Sequence, residues 1–217
     1  MTSRMTKEDS KFISVFEPTV TLKDKVSVLK SLNKKDISGS SSTIQEFEDI
    51  ISRQFDRKYA VSVSNGSVAL DLALNVFNFD KNDEIIVTNQ DHEANISPWL
   101  IKAQEKGVNA EILPFNQDSY TLDFDRLEAI LKKSRTKLIA ITLASNICGS
   151  ITDITRVSAL AKQYQVKLFV DAVHFIAHHK VDVQVMDCDW LVCSGYKFSA
   201  PHIGILYSKS QTMASIK

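Results

Sequence analysis

The chain has 217 residues, 44% of them hydrophobic and 24% charged, with Lys plus Arg matching Asp plus Glu at 26 each. That balance excludes the basic excess expected of a nucleic-acid or anionic-membrane binder, and the length suffices for one large domain or two small ones with a real core. No apolar stretch approaches the ~20 residues that span a bilayer, and the opening MTSRMTKEDSKF lacks the apolar region of a signal peptide, so the expectation is a cytoplasmic protein.

Residues 1–40 are polar and weakly periodic, and they read as an N-terminal segment ahead of a larger domain over 41–217. Within the segment, 21–33 (TLKDKVSVLKSLN) has the look of a short helix. In 43–55 (TIQEFEDIISRQF), Ile44, Phe47, Ile50, Ile51 and Phe55 fall on one helical face. Thr43 with Glu46 makes a capping box for that helix. YAVSVS (59–64) is a short β-rich run, NGS a turn, and VALDLALNVF a helix.

From there strand and helix alternate. Strands are expected at 83–89, 109–115, 136–145 and 166–172, with helices at 97–107, 122–134 and 151–165; 97–107 ends on a glycine cap. DWLVCSG (189–195) and IGILYS (203–208) are two further strands. This order predicts an α/β three-layer sandwich around a mostly parallel sheet.

Ligands of such sheets sit at the carboxyl ends of the strands, so the residues that follow each strand matter. Ser64-Asn65-Gly66-Ser67 opens a helix, where free N–H groups and the helix dipole suit an anion. The same four residues also make a plain capped turn, with neither a GxGxxG nor a Walker A pattern. After the next strand comes His92, a candidate ligand, base or stacking ring, or simply a structural loop histidine. Ser145-Asn146 follows the strand at 136–145. Asp171 ends its strand three residues before His174; a carboxylate there needs either solvent or a cationic partner. Ser194-Gly195-Tyr196-Lys197 follows DWLVC. His178 and His179 read as solvent-facing.

The cysteines, Cys148, Cys188 and Cys193, are odd in number and form no CxxC pair. That argues against a disulfide framework and a zinc site, and no metal site is expected. All three read as small buried side chains.

Lys197, Asp171 and the glycine turn together supply the three parts that a pyridoxal 5'-phosphate site requires. These are an amine for the aldehyde, a carboxylate that keeps the ring nitrogen protonated, and helix-end donors for the phosphate.

Residues 83–207 resemble the large domain of class V aminotransferases, the cysteine desulfurase-like group of fold-type I pyridoxal phosphate enzymes. The words that carry the likeness are DHEANISPW, TLASNICGSITD, VDAVHFIAHHKVDVQVMDCDWLVCSGYKF and PHIGILY. The resemblance implies a fold-type I large domain over 41–217, and Lys197 as the Schiff-base lysine. Asp171 would pair with the ring nitrogen and His92 would stack on the ring. Asn146 and His174 would lie near the ring hydroxyl, with Ser194, Gly66 and Ser67 on the phosphate. Lys197 and His92 are the residues expected at the chemistry. Tyr196 stands where the family often carries His.

The first third, ISGSSSTIQEFEDIISRQFDRKYAVSVSNGSVALDLAL, is similar instead to the DegT/DnrJ/EryC1 sugar aminotransferases. Family members continue into a small C-terminal domain that supplies an Arg for the substrate carboxylate and, in desulfurases, a loop Cys. This sequence stops soon after its last strand. The resemblance thus implies an enzyme acting on an amino acid, as a homodimer. The alternatives are a shortened, inactive pyridoxal phosphate-binding protein or a nucleotide-sugar aminotransferase.

Overall fold

A computed structural model describes residues 19–56, 60–133 and 135–209. The chain divides between Ser38 and Gly39 into two compact units. The first holds α1 (Leu22–Asn33), closed at its start by a capping box: Thr21 accepts from the Asp24 N–H, and Asp24 accepts from the Thr21 N–H. None of the α1 residues is buried.

The second unit opens with α2 (Ser42–Gln54). Its cap is not the expected Thr43–Glu46 pair. Ser41, in extended backbone, accepts from the Ile44 N–H at 3.3 Å. Four consecutive hydroxyl residues precede the apolar face, so composition alone does not choose among them; the helix starts one residue earlier than Thr43 and leaves it inside the first turn. Phe55, which caps the other end, packs against the core, whereas Ile50 is exposed.

The sheet is built from β1 (Ser62–Val63), β2 (Glu84–Thr88), β3 (Asn109–Leu113), β4 (Thr136–Thr142), β5 (Lys167–Asp171), β6 (Trp190–Ser194) and β7 (Gly204–Ser208), in the order β1-β7-β6-β5-β4-β2-β3. Strands β3, β2, β4, β5 and β6 run parallel. β7 is antiparallel to β6, and β1 to β7. Only residues 195–203 separate β6 from β7, too few for the crossover of a dozen or more residues that a parallel partner needs. The β1 expectation of 59–64 shrinks to two residues at the sheet edge, and Tyr59 lies outside the described residues.

The crossovers are α3 (Gly66–Val76), α4 (Ser97–Lys106), α5 (Phe124–Leu131), α6 (Ile154–Gln163) and the short α7 (Val183–Met186). α3 begins two residues before the expected VALDLALNVF, so the NGS turn is the helix start itself. α5 and α6 begin two and three residues late. Leu122 and Ile151 are first held in bridges to Phe115 and Ala144, after which Asp123 and Asp153 cap the helices.

Adjacent strand residues point to opposite faces. Ile85, Leu138, Phe169 and Trp190 pack with Trp99 of α4 and Ala73 of α3, while Ile86, Ile139, Val170 and Leu191 pack with Leu127 of α5 and Val157 of α6. Both faces are therefore buried, which is why these strands read as near-continuous apolar runs. This is the three-layer α/β sandwich expected. Among the described residues, no helix is long and apolar enough to cross a membrane.

Candidate active site

The strands run so that β1, β2, β5 and β6 all end on one edge of the sheet, and a cavity of about 190 Å³ opens there. Each wall comes from the segment following one of those strands.

The β1 end leads directly into α3. Asn65 is its cap and accepts from the Val68 N–H at 3.0 Å, leaving the first turn of the helix facing the cavity through Gly66 and Ser67. From β6, the buried Ser194 reaches across 128 positions of sequence to accept the Gly66 N–H at 3.2 Å. The positive end of the α3 dipole and the serines Ser67 and Ser194 thus lie at one end of the cavity, a setting that suits an anion.

A second glycine makes this approach possible. Gly204 of β7 lies against the Asn65 backbone so closely that a Cβ on it would sit 2.1 Å from the Asn65 carbonyl oxygen. Gly204 is not among the site residues expected from the sequence. A glycine inside a strand is the available signal, since it marks a close backbone approach.

Asp171 forms the floor. It is 7% exposed, and its Oδ1 accepts the Val173 N–H at 2.8 Å. No described residue donates to Oδ2, and the carboxylate has no Lys or Arg partner among the described residues. Burial pushes its pKa up to about 6, against the downward pull of the Val173 N–H and His92.

His92 lies after β2, with Nδ1 accepting the Ala94 N–H at 3.0 Å. Its ring centroid is 6.5 Å from that of His174. Burial holds the His174 pKa below its usual value, helped by the positive charges of Lys197, His92 and His178.

Lys197 sits in a 3-10 turn, Gly195–Phe198, ended by Ser199 in the left-handed region (φ 67). Its Nζ is 5.2 Å from the Tyr196 ring centroid. The amine forms no hydrogen bond or ion pair with another described residue. Tyr196 in turn stacks on His202, centroids 4.9 Å apart.

The cavity therefore brings together Lys197, Asp171, His174, His92, Ser194, Gly66 and Ser67. It does not bring in Asn146. After β4 the chain turns back on itself, with Gly149 donating to the Ser145 carbonyl at 3.0 Å and Ile151 bridging Ala144, and Asn146 lies exposed on that turn. Two asparagines absent from the expected set, Asn65 and Asn95, also line the cavity. His178 and His179 are exposed.

Cys188 and Cys193 are buried, and burial pushes both thiols up to about 12. Cys148 is not the buried side chain expected: it is exposed on the same turn as Asn146, where side-chain hydrogen bonds with Ser145 and Ser150 lower its pKa. Among the described residues no group of three or more His, Cys, Asp or Glu is placed to hold a metal.

The donor set fits pyridoxal phosphate. A buried carboxylate oxygen without a donor, an unpaired amine and a helix-end anion cradle occupy one cavity, matching the ring nitrogen, aldehyde and phosphate of that cofactor.

Comparison with known proteins gives the same picture. The aminotransferase class-V family model matches residues 23–217, so it takes in the segment likened above to the sugar aminotransferases. A cysteine desulfurase of Cronobacter sakazakii is 42% identical over 135 residues, 62% of this chain and 33% of that protein. Among solved structures, the apo cysteine desulfurase of Thermococcus onnurineus NA1 superposes with a TM-score of 0.76 at 25% identity, covering 89% of this chain and 52% of that one. The cysteine desulfurase CsdA of Escherichia coli gives 0.69 at 23% identity, over 89% and 47%, which bears on the fold alone. The chain thus spans about a third of the length of the curated relatives it matches.

Proposed function

The chain belongs to the aminotransferase class-V family, a pyridoxal phosphate-dependent family, and on that premise we propose that it acts on an amino acid in the manner of a cysteine desulfurase. The observation that carries this reading is the pairing of the free Lys197 amine with the partnerless buried Asp171 oxygen in one cavity. The relatives at about 42% identity are cysteine desulfurases, which supports L-cysteine as the first substrate to try.

When bound, pyridoxal phosphate supplies an aldehyde that condenses with an amine and a protonated ring that withdraws electrons from the substrate α-carbon. Lys197 would hold the aldehyde and, once released by substrate, would move a proton at the α-carbon. Asp171 would accept the ring N–H through Oδ2 and keep that nitrogen protonated. Gly66, Ser67 and Ser194 would take the phosphate, and His92 and His174 would flank the ring. We further propose a cytoplasmic homodimer.

The test adds pyridoxal phosphate to the purified chain, records the near-visible spectrum, reduces with borohydride and maps the modified peptide. The expected label is on Lys197, and L-cysteine given together with an added dithiol reductant should yield alanine and sulfide, the dithiol supplying the two electrons that convert the released sulfane sulfur to sulfide. Label scattered over surface lysines, or none, overturns the reading of the cavity. Label on Lys197 with amino transfer but no sulfide keeps the site and overturns the desulfurase assignment.

A further inference from the structure

Asp91 is a second buried carboxyl beside the site, and the cofactor reading gives it no task. It follows β2 and is 4% exposed. Among the described residues it has no Lys or Arg partner. Its Oδ1 accepts from Asn95 Nδ2 at 2.7 Å. That orientation of Asn95 is set from the other side, where Asn95 Oδ1 accepts the indole N–H of the fully buried Trp99 at 3.2 Å; an indole only donates. The other oxygen, Oδ2, meets the Thr88 hydroxyl.

The two carboxyls differ in what their partners permit. Asp171 Oδ1 faces a backbone N–H, which can only donate and so favours a charged carboxylate. Asp91 Oδ2 faces a hydroxyl, which can accept a proton's hydrogen bond as well as give one. A neutral Asp91, carrying its proton on Oδ2 and donating to Thr88 Oγ1, keeps the Asn95 bond intact.

We propose that Asp91 is a positioning residue acting through Asp171: the two buried carboxyls hold a single negative charge between them, with the proton on Asp91 Oδ2 and the charge on Asp171. This rests on the pyridoxal phosphate reading of the cavity, because the charge left on Asp171 is the one that would face the ring nitrogen. Like charges in a desolvated site disfavour double ionisation.

The electrostatics run the same way. Burial pushes the Asp91 pKa up to about 7, outweighing the donors Thr88 and Asn95, and the Asp171 charge raises it further while the Thr142 N–H lowers it. Asp171 lies lower, at about 6. Besides the Tyr196 phenol, the other titratable groups on the cavity are His92, His174 and Lys197, all three potential cations, and His92 acts on Asp171 directly. Asp171 therefore loses its proton first. The same network ties the turn that carries His92 and Asn95 to the cavity wall.

The test is carboxyl NMR of the cofactor-free chain with 13C-labelled aspartate side chains, titrated from pH 4 to 9, in wild type, Asp171→Asn and Asp91→Asn. In wild type Asp171 titrates first and Asp91 last. In Asp171→Asn the Asp91 midpoint falls by roughly one pH unit, the scale of a coupled pair, because the charge that opposed its ionisation is gone. In Asp91→Asn the Asp171 midpoint stays in place, because the amide stands in for a neutral acid. Asp91→Asn also melts within ~3 °C of wild type, about 1 kcal/mol for a chain of this size.

Both carboxyls titrating below pH 5, the reverse order, or an Asp91 midpoint indifferent to Asp171→Asn overturns the proposal. If Asp91→Asn does not fold, wild type and Asp171→Asn still decide. Because the titration is read without cofactor, its failure is separate from a failure of borohydride to label Lys197.

Discussion

Gly204→Ala should damage the cofactor site from outside it. A Cβ at Gly204 would lie 2.1 Å from the Asn65 carbonyl oxygen, 2.4 Å from the Asn65 carbonyl carbon and 2.9 Å from the Gly66 nitrogen. Contacts under 3.0 Å essentially never occur for a real Cβ, and all three obstacles are backbone, so no rotamer relieves them. Either β7 or the Asn65–Gly66 backbone has to retreat by about 1 Å. β7 is held on both sides, Gly204 pairing with Val63 of β1 and Ser194 of β6. The first turn of α3 therefore moves, and with it the Gly66 N–H that Ser194 accepts. Overpacking of this kind costs about 1–3 kcal/mol, or roughly 2–12 °C in Tm for a chain of this size. A misplacement of ~1 Å at a positioned group costs up to ~100-fold in function, so pyridoxal phosphate binding should weaken at least ~10-fold. The assay is thermal unfolding together with a spectrophotometric cofactor titration. Gly39→Ala is the control, since a Cβ there meets nothing within 4 Å. A Gly204→Ala chain with wild-type Tm and wild-type cofactor affinity would refute the argument that this glycine sets the helix start.

Lys197→Ala should remove the borohydride-fixed label while leaving the fold intact, because the Lys197 amine makes no hydrogen bond or ion pair with another described residue; retained site-specific label elsewhere in the cavity contradicts the assignment. Asp171→Asn should lower turnover and also change the pH dependence of stability. Burial raises the folded pKa of Asp171 to about 6 from 3.8, so the folded state holds a proton that the unfolded state has lost, and stability falls as pH rises from about 4 to 6. The shift of about two units is worth about 3 kcal/mol. His174 works in the opposite direction, its lowered pKa removing stability as pH falls through 6.5, so the comparison is made on the difference between wild type and Asp171→Asn in urea midpoints. A pH-independent difference contradicts the burial argument. Ser41→Ala should cost about 1 kcal/mol by uncapping α2; a thermal melt unchanged from wild type would contradict that cap.

Much of the fold could be read from local pattern, because burying a strand on both faces demands a continuous apolar run, and EIIVT, KLIAIT and KLFVD are such runs. Lys197 and Asp171 were legible for the same reason: polar residues at the ends of buried strands stand out against the apolar segments that precede them. Element starts were less legible, since several hydroxyls or carboxylates can cap one helix and only the surrounding backbone selects among Ser41, Thr43 and their neighbours. Asn146 looked equivalent to Asp171 as a strand-end residue, yet its chain turns back after β4 and carries it away from the cavity.

What the sequence determined by itself is the alternation of strand and helix, the parallel order that follows from it, and the residue types that chemistry at the strand ends requires. These are local quantities, set by side-chain period and composition. The tertiary structure alone decided that β7 returns antiparallel to β6, that Gly204 lets the Asn65 backbone close on the sheet, and that Ser194 meets Gly66 across 128 positions. It alone buried both Asp91 and Asp171. The field between two carboxyls depends on their separation in space and on the water excluded around them, and neither is written in the distance along the chain.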